Sequence, residues 1–170
     1  SPKHVLQNGF AANHEEVTVN YIDSIFTMTS GNMVSLEAWS EVGGFTDDLF
    51  IDMVDIDFNI KLKLHGYNVL TISNVYMNHN VGNMFTKILF NRKIDVLNHN
   101  KIRKYYQIRN TLSVIRKYKD LVPEVVRLKK SLVINNIICI VFYESNKLSK
   151  LYYCFRGFVD YKLNKLGKLK

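Results

Sequence analysis

Cysteine, proline and long apolar runs are all scarce in this chain, and each shortage closes off a class of protein. The two cysteines, Cys139 and Cys154, form no C-x-x-C pair. They make neither a disulfide framework nor a zinc site, and a reducing compartment is the expected setting. Two prolines and eight glycines among 170 residues are too few for a collagen-like, proline-rich or low-complexity chain. The longest apolar run, Leu132 to Tyr143, has twelve residues and contains Asn135 and Asn136, whereas a spanning helix needs about twenty. No membrane crossing is expected. The opening Ser1-Pro2 carries no leader pattern and reads as the start of a piece of something longer.

What is present is ordinary for a folded domain. The hydrophobic fraction is 47% and the charged fraction 22%, and a chain of this size buries roughly 70% of the surface it exposes when unfolded. The formal charge of +8 favours an anionic partner such as a nucleotide diphosphate, a lipid head group or a nucleic acid. Charge alone does not choose among them.

Residues 1 to 15 read as irregular, with Asn8-Gly9 as a turn. Val17 to Ile22 alternates apolar and polar side chains and Ile25 to Thr29 continues in strand formers, which predicts two short strands or one bent one. Ser35 is placed to cap a short helix from Leu36, and Gly43-Gly44 ends it. Asp52 stands three residues before Asp55, the spacing of an N-cap and its partner, so the next helix should begin near Met53. On that helix Asp55, Phe58, Asn59 and Leu62 share a face, while Asp57 lies about 200° round and is spaced to pair with Lys61. After Gly66, residues Tyr67 to Ile72 and Val75 to His79 read as strands, and Val81 to Asn83 as a turn. The remainder reads as helical: His99 to Lys119, a helix opened by Pro123, and a last one from about Lys147 to Leu166. The stretch from Tyr118 to Pro123 is the expected boundary, giving residues 1–120 and 121–170.

Several motifs then occur in a definite order: Ser30-Gly31-Asn32, Val42-Gly43-Gly44-Phe45, Leu49 to Phe58, Gly66-Tyr67, His79-Asn-Val-Gly82, Tyr105 to Asn110, and Phe155-Arg156-Gly157. In this order they resemble the rhamnosyltransferase-like branch of glycosyltransferase family 2. The resemblance implies an α/β fold, the C-terminal, acceptor-side half of a GT-A domain in residues 1–120, followed by a helical extension. It implies an inverting transfer of a sugar, rhamnose in many relatives, from a nucleotide-diphosphate donor to a saccharide or lipid-linked acceptor in cell-surface polysaccharide synthesis.

The same resemblance assigns roles. Asp55 matches the general base that takes the proton of the attacking hydroxyl, an effect typically worth 10²–10⁴-fold; the family's frequent Glu-Asp is Val54-Asp55 here. Asp52 joins it as a substrate-binding candidate, the alternative being that both acids only cap a helix. His79 matches a histidine that helps hold the Mn²⁺ or Mg²⁺ bound to the donor diphosphate, or else it is an ordinary hydrogen-bonded residue. Arg109, Asn110 and Arg103 match a helix that steadies the diphosphate through the planar guanidinium fork, the alternative being a basic helix that packs by its tyrosines.

The family's nucleotide-binding half with its Asp-x-Asp metal motif is expected to be missing ahead of Ser1. Asp55-Ile-Asp57 does not replace it, because it runs into a helix instead of following a buried strand. The divalent metal is therefore expected only with the donor-binding half, and the chain by itself is expected to be inactive. From Lys147 to Lys170 seven basic residues and one acid interleave with aromatic and aliphatic ones, a pattern suited to peripheral contact with an anionic membrane at its cytoplasmic face, or to a solvated helix docked on the domain. The competing function is a non-catalytic interaction module that binds a partner through a sheet edge. Lys101 to Arg109 alternates basic and aromatic residues, but no nucleic-acid module accompanies it and no nucleic-acid partner is expected.

Overall fold

A computed structural model describes residues 4–7, 10–13, 21–25, 27–72, 85–89 and 92–169. The chain forms two compact units, Ser1–His79 and Asn80–Lys170.

In the first unit, β1 (His4–Gln7) and β2 (Phe10–Asn13) pair antiparallel with Gln7 opposite Phe10. The irregular reading of this stretch is thereby corrected: Asn-Gly between two short runs is the usual signature of a two-residue hairpin connection. A second antiparallel pair joins β3 (Tyr21–Asp23) to β4 (Leu70–Ile72), with Ile22 opposite Thr71. Ser24 extends it, its N–H donating to Val69 O at 2.7 Å and its hydroxyl lying 2.7 Å from that of Thr71. Residues 25 and 27–29 are not strand. Their β propensity finds no ladder, since Thr27 O is taken by a side chain of the following helix layer.

Helix α1 (Leu36–Glu41) starts as expected, with Ser35 Oγ accepting from Ala38 N at 3.3 Å. It stops at Gly43 and Gly44, whose φ values of 72° and 60° only glycine adopts freely. Gly44 N returns to Trp39 O at 2.8 Å, satisfying a carbonyl the helix end would leave open. A single 3-10 turn (Asp47–Leu49) leads to α2 (Val54–Leu64). Ala38 of α1 and Val42, the residue that ends it, pack with Phe58 and Leu62 of α2 and with Val69, and Val34 and Tyr67 border this core.

The second unit opens with a hairpin that helical expectations missed, β5 (Phe85–Leu89) paired antiparallel with β6 (Arg92–Val96). Three helices follow: α3 (Lys101–Tyr118), capped by the Asn100 side chain on Arg103 N, α4 (Pro123–Phe142), with Pro123 in its first turn, and α5 (Lys147–Lys162). Ile108, Ile140 and Cys154, one from each helix, meet in the core with Leu112, Val133, Ile137 and Leu151 around them. Helices α3 and α5 approach so closely that a Cβ on Gly157 would stand 2.5 Å from Tyr105 O. A glycine there is the condition of that crossing.

Polar groups tie the same helices together. Glu144, 3% exposed, receives Lys104 Nζ at 2.7 Å and Lys150 Nζ at 2.8 Å, and both lysines are equally buried. Asn136 Oδ1 and Asn98 Oδ1 accept the next bond of each ammonium. Such a cluster is tolerated inside a protein because each charge has an opposite charge and further hydrogen bonds.

Candidate functional site

Asp55 sits in the first turn of α2, where a carboxylate is favoured by the unpaired N–H groups and the positive end of the helix dipole. It is half-buried, and its Oδ1 accepts from Ile56 N at 2.9 Å. Asp57, two residues on, is 1% exposed and committed to the protein: Thr46 Oγ1 donates to it at 2.6 Å, and Lys61 Nζ lies at 3.7 Å, the expected i,i+4 pair. Lys61 also donates to Gly44 O at 2.6 Å, so this pair fixes the turn after α1 against α2.

The loop ahead of Asp55 is strained. Phe50 has φ 62° and ψ −58°, and Ile51 N donates to Leu49 O at 2.7 Å. This is a γ-turn of the rare positive-φ form. Asp52 and Met53 follow at φ 61° and 68°. Three non-glycine residues at positive φ within four positions cost on the order of 1–3 kcal/mol each, and strain of this kind concentrates at functional sites. The expected capping role of Asp52 is corrected here: Met53 occupies the N-cap position in left-handed geometry without a side-chain cap, and Asp52 is part of the strained turn.

Asp55, Phe58 and Asn59 line a cavity of about 190 Å³ together with Thr29, Asn32, Val34, Trp39 and Phe45. Three of the four residues expected to share a helix face thus line this cavity, and the fourth, Leu62, lines a different one. Phe45 and Phe58 pack with ring centroids 4.7 Å apart, and the Trp39 ring lies over Gly44. Asn59 and Asn32 also line a larger, mainly apolar cavity of about 570 Å³ between α1, α2 and β4. Asn59 is 1% exposed, and Thr27 O accepts from its Nδ2 at 2.9 Å while its Oδ1 has no hydrogen-bond partner. Sequence reading placed Asn59 on the right face without marking it as functional. Nothing in the sequence marks Trp39 as a wall of the site, because that depends on the close approach at Gly44.

Arg103, Arg109 and Asn110 belong to the second unit. Arg109 is 1% exposed, with its guanidinium 5.3 Å from the Tyr105 ring centroid and 4.9 Å from that of Tyr106. Its Nε donates to Asn110 Oδ1 at 2.8 Å and one terminal nitrogen donates to Gly167 O at 2.7 Å. This geometry favours the packing role over the diphosphate role: the fork is engaged by the chain itself, and Asn110 is fully buried beside it. Arg103 is half-buried in the first turn of α3. Lys104 and Arg109 being interior, the alternation from Lys101 to Arg109 is not a continuous basic surface.

His79 lies outside the described residues. Among the described residues no group of three histidine, cysteine or acidic side chains converges as a metal site would require. Among them, too, no helix is long and apolar enough to cross a membrane.

Over 94 residues the chain is 35% identical to dTDP-rhamnosyl transferase RfbF of Shigella flexneri. The matched stretch is 55% of this chain and 31% of that protein, so the chain spans about a third of the length of the curated relative it matches. No family model matches the chain, and no solved structure matches it. Over the matched stretch, then, the chain is similar to a protein named for moving rhamnose from a dTDP donor.

Proposed function

We propose that this chain is the acceptor-side part of an inverting glycosyltransferase of family 2 with a GT-A fold, which transfers a sugar, rhamnose in the first instance, from a nucleotide-diphosphate donor to a saccharide or lipid-linked acceptor. The observation that carries the proposal is the 35% identity to a dTDP-rhamnosyl transferase. The position of Asp55 supports it: a half-buried carboxylate at a helix start, behind a strained turn and on the wall of an aromatic cavity.

In the proposed step the acceptor oxygen forms a bond to the anomeric carbon while the bond from that carbon to the diphosphate oxygen breaks. The hydroxyl proton passes to the Asp55 carboxylate, and the nucleoside diphosphate leaves with the electron pair. Asp55 suits this task because its short side chain is held by the helix start, and Asp57 does not compete, being paired with Lys61 and Thr46. A divalent cation held with the donor-binding part of the enzyme would offset the diphosphate charge. Helix α5, with Leu148, Tyr152 and Phe155 exposed beside a basic C-terminal stretch, supports peripheral contact with an anionic membrane at its cytoplasmic face.

The test is a chimera in which this chain replaces the corresponding part of the Shigella flexneri protein. Rhamnosyl transfer should be retained, and Asp55→Asn should lower turnover by about 10²–10⁴-fold while donor binding stays near the parent value. Transfer at the parent rate by that variant would remove Asp55 from the mechanism.

A further inference from the structure

Charge is divided unequally between the two units of this chain. Residues 80–170 hold 20 of the 23 Lys and Arg but only 5 of the 15 Asp and Glu, a formal charge of +15, whereas residues 1–79 carry −7. An asymmetry of this size points to an anionic surface as the partner of the basic unit. Two of its five acids are engaged within the helical bundle: Glu144 lies between Lys104 and Lys150, and Asp160 accepts from the Tyr105 hydroxyl.

Helix α5 turns an apolar face outward from the same unit. Leu148, Tyr152 and Phe155 follow one another at helical spacing and are 85%, 61% and 64% exposed, and Phe158 widens the stripe. The opposite face is fixed, with Gly157 against the Tyr105 carbonyl and Lys150 on Glu144, so the helix cannot roll to hide these side chains. Exposed lysines border the stripe at Lys147, Lys162, Lys165 and Lys168. Lys162 Nζ lies 5.6 Å from the Phe158 ring centroid, the arrangement by which a long cationic side chain covers apolar surface while its head reaches for water or phosphate.

Charge and exposure together decide what covers this face. A second copy would bring another unit of +15 against it, and like charge opposes that pairing. A nucleic acid offers phosphates to the lysines but no apolar layer for Leu148, the most exposed side chain of the stripe. An anionic bilayer satisfies both sets, with acyl chains for the stripe and head-group phosphates for the lysines. We propose that α5 is an inserting docking helix, which lies flat on an anionic phospholipid bilayer with Leu148, Tyr152 and Phe155 below the phosphates and Lys147, Lys162 and Lys165 on them. This deepens the membrane contact of the proposed transferase and rests on that reading for its purpose, which is to hold the chain beside a lipid-linked acceptor. The contact itself rests on the charge and exposure of the second unit.

The test is sedimentation of the whole chain with vesicles, one set of phosphatidylcholine alone and one with phosphatidylglycerol added. Binding is expected only to the anionic vesicles and should weaken as salt is raised, since counterions screen the lysines. Leu148→Asn with Phe155→Asn should weaken it at least about tenfold although the charge is unchanged. A second reading does not depend on the folding of that variant. Phe155→Cys can be labelled selectively with an environment-sensitive dye because Cys139 and Cys154 are buried, and the dye emission should shift to the blue on anionic vesicles. No binding to anionic vesicles overturns the docking helix, as does full binding by the double variant or a dye that stays in water. Binding to a single-stranded oligonucleotide at a salt concentration that releases the vesicles also overturns it, in favour of a nucleic-acid surface. No sugar enters these measurements, so their failure leaves the transfer reading standing, and full transfer by Asp55→Asn in the chimera would remove the base without touching the docking helix.

Discussion

The indole of Trp39 lies over the α-carbon of Gly44, where an added Cβ would stand 2.5 Å from a ring carbon. One residue thus holds the aromatic wall of the candidate site in position, by having no side chain.

The neighbouring glycine provides the control. Gly43 has φ 72° but nothing within 4 Å of where a Cβ would be, so Gly43→Ala should cost only the left-handed backbone term, about 1–2 kcal/mol. Gly44→Ala should cost that amount and roughly 1–3 kcal/mol more, because the indole must shift. Urea titrations of the two variants measure the difference. Only Gly44→Ala should change the emission of Trp39.

Glu144 is the centre of the buried charge cluster in the second unit, between Lys104 and Lys150. Replacing it with Gln leaves two interior ammonium groups without their anion, and about 3–5 kcal/mol of stability should be lost. The combined variant Lys104→Met, Glu144→Leu, Lys150→Met should unfold later than Glu144→Gln, since apolar groups of similar volume can replace a buried ionic cluster with little loss. Denaturant midpoints followed by circular dichroism check the order. Equal midpoints for the two variants would show that the charges are not truly interior.

Burial pushes the Cys154 thiol up from 9.0 to about 11 and raises Cys139 in the same direction. Between those limits the folded chain keeps a proton that the unfolded chain releases, so stability is full below about pH 9 and declines as pH rises through about 11. The Tyr105 hydroxyl, raised by burial and by its bond to Asp160, adds to the decline. Cys154→Ala should flatten part of this slope in unfolding midpoints measured across the window. At neutral pH both thiols should resist alkylation until the chain unfolds, because the reactive thiolate is scarce.

Local signals carried much of this fold. Ser35, the Gly43-Gly44 stop, Pro123 and the spacing of Asp55, Phe58 and Asn59 each act within a turn or two of helix, and each appears where its chemistry places it. Long-range partners carried the rest. Asp52 has the spacing of a cap, yet the γ-turn at Phe50 shifts the helix start and puts Met53 there instead. The β5–β6 hairpin carries no local sign, because Phe90-Asn91, between its strands, lacks the glycine that flags a tight connection. Lys104 and Arg109 look like surface residues until their partners are known, and Glu144 and Gly167 stand 40 and 58 positions away.

Arg109 closes on the carbonyl of Gly167, and the Tyr106 hydroxyl accepts from Leu169 N at 2.6 Å. Two contacts that close over α3 are thus supplied by residues 167–169, and neither can form until those residues have been translated.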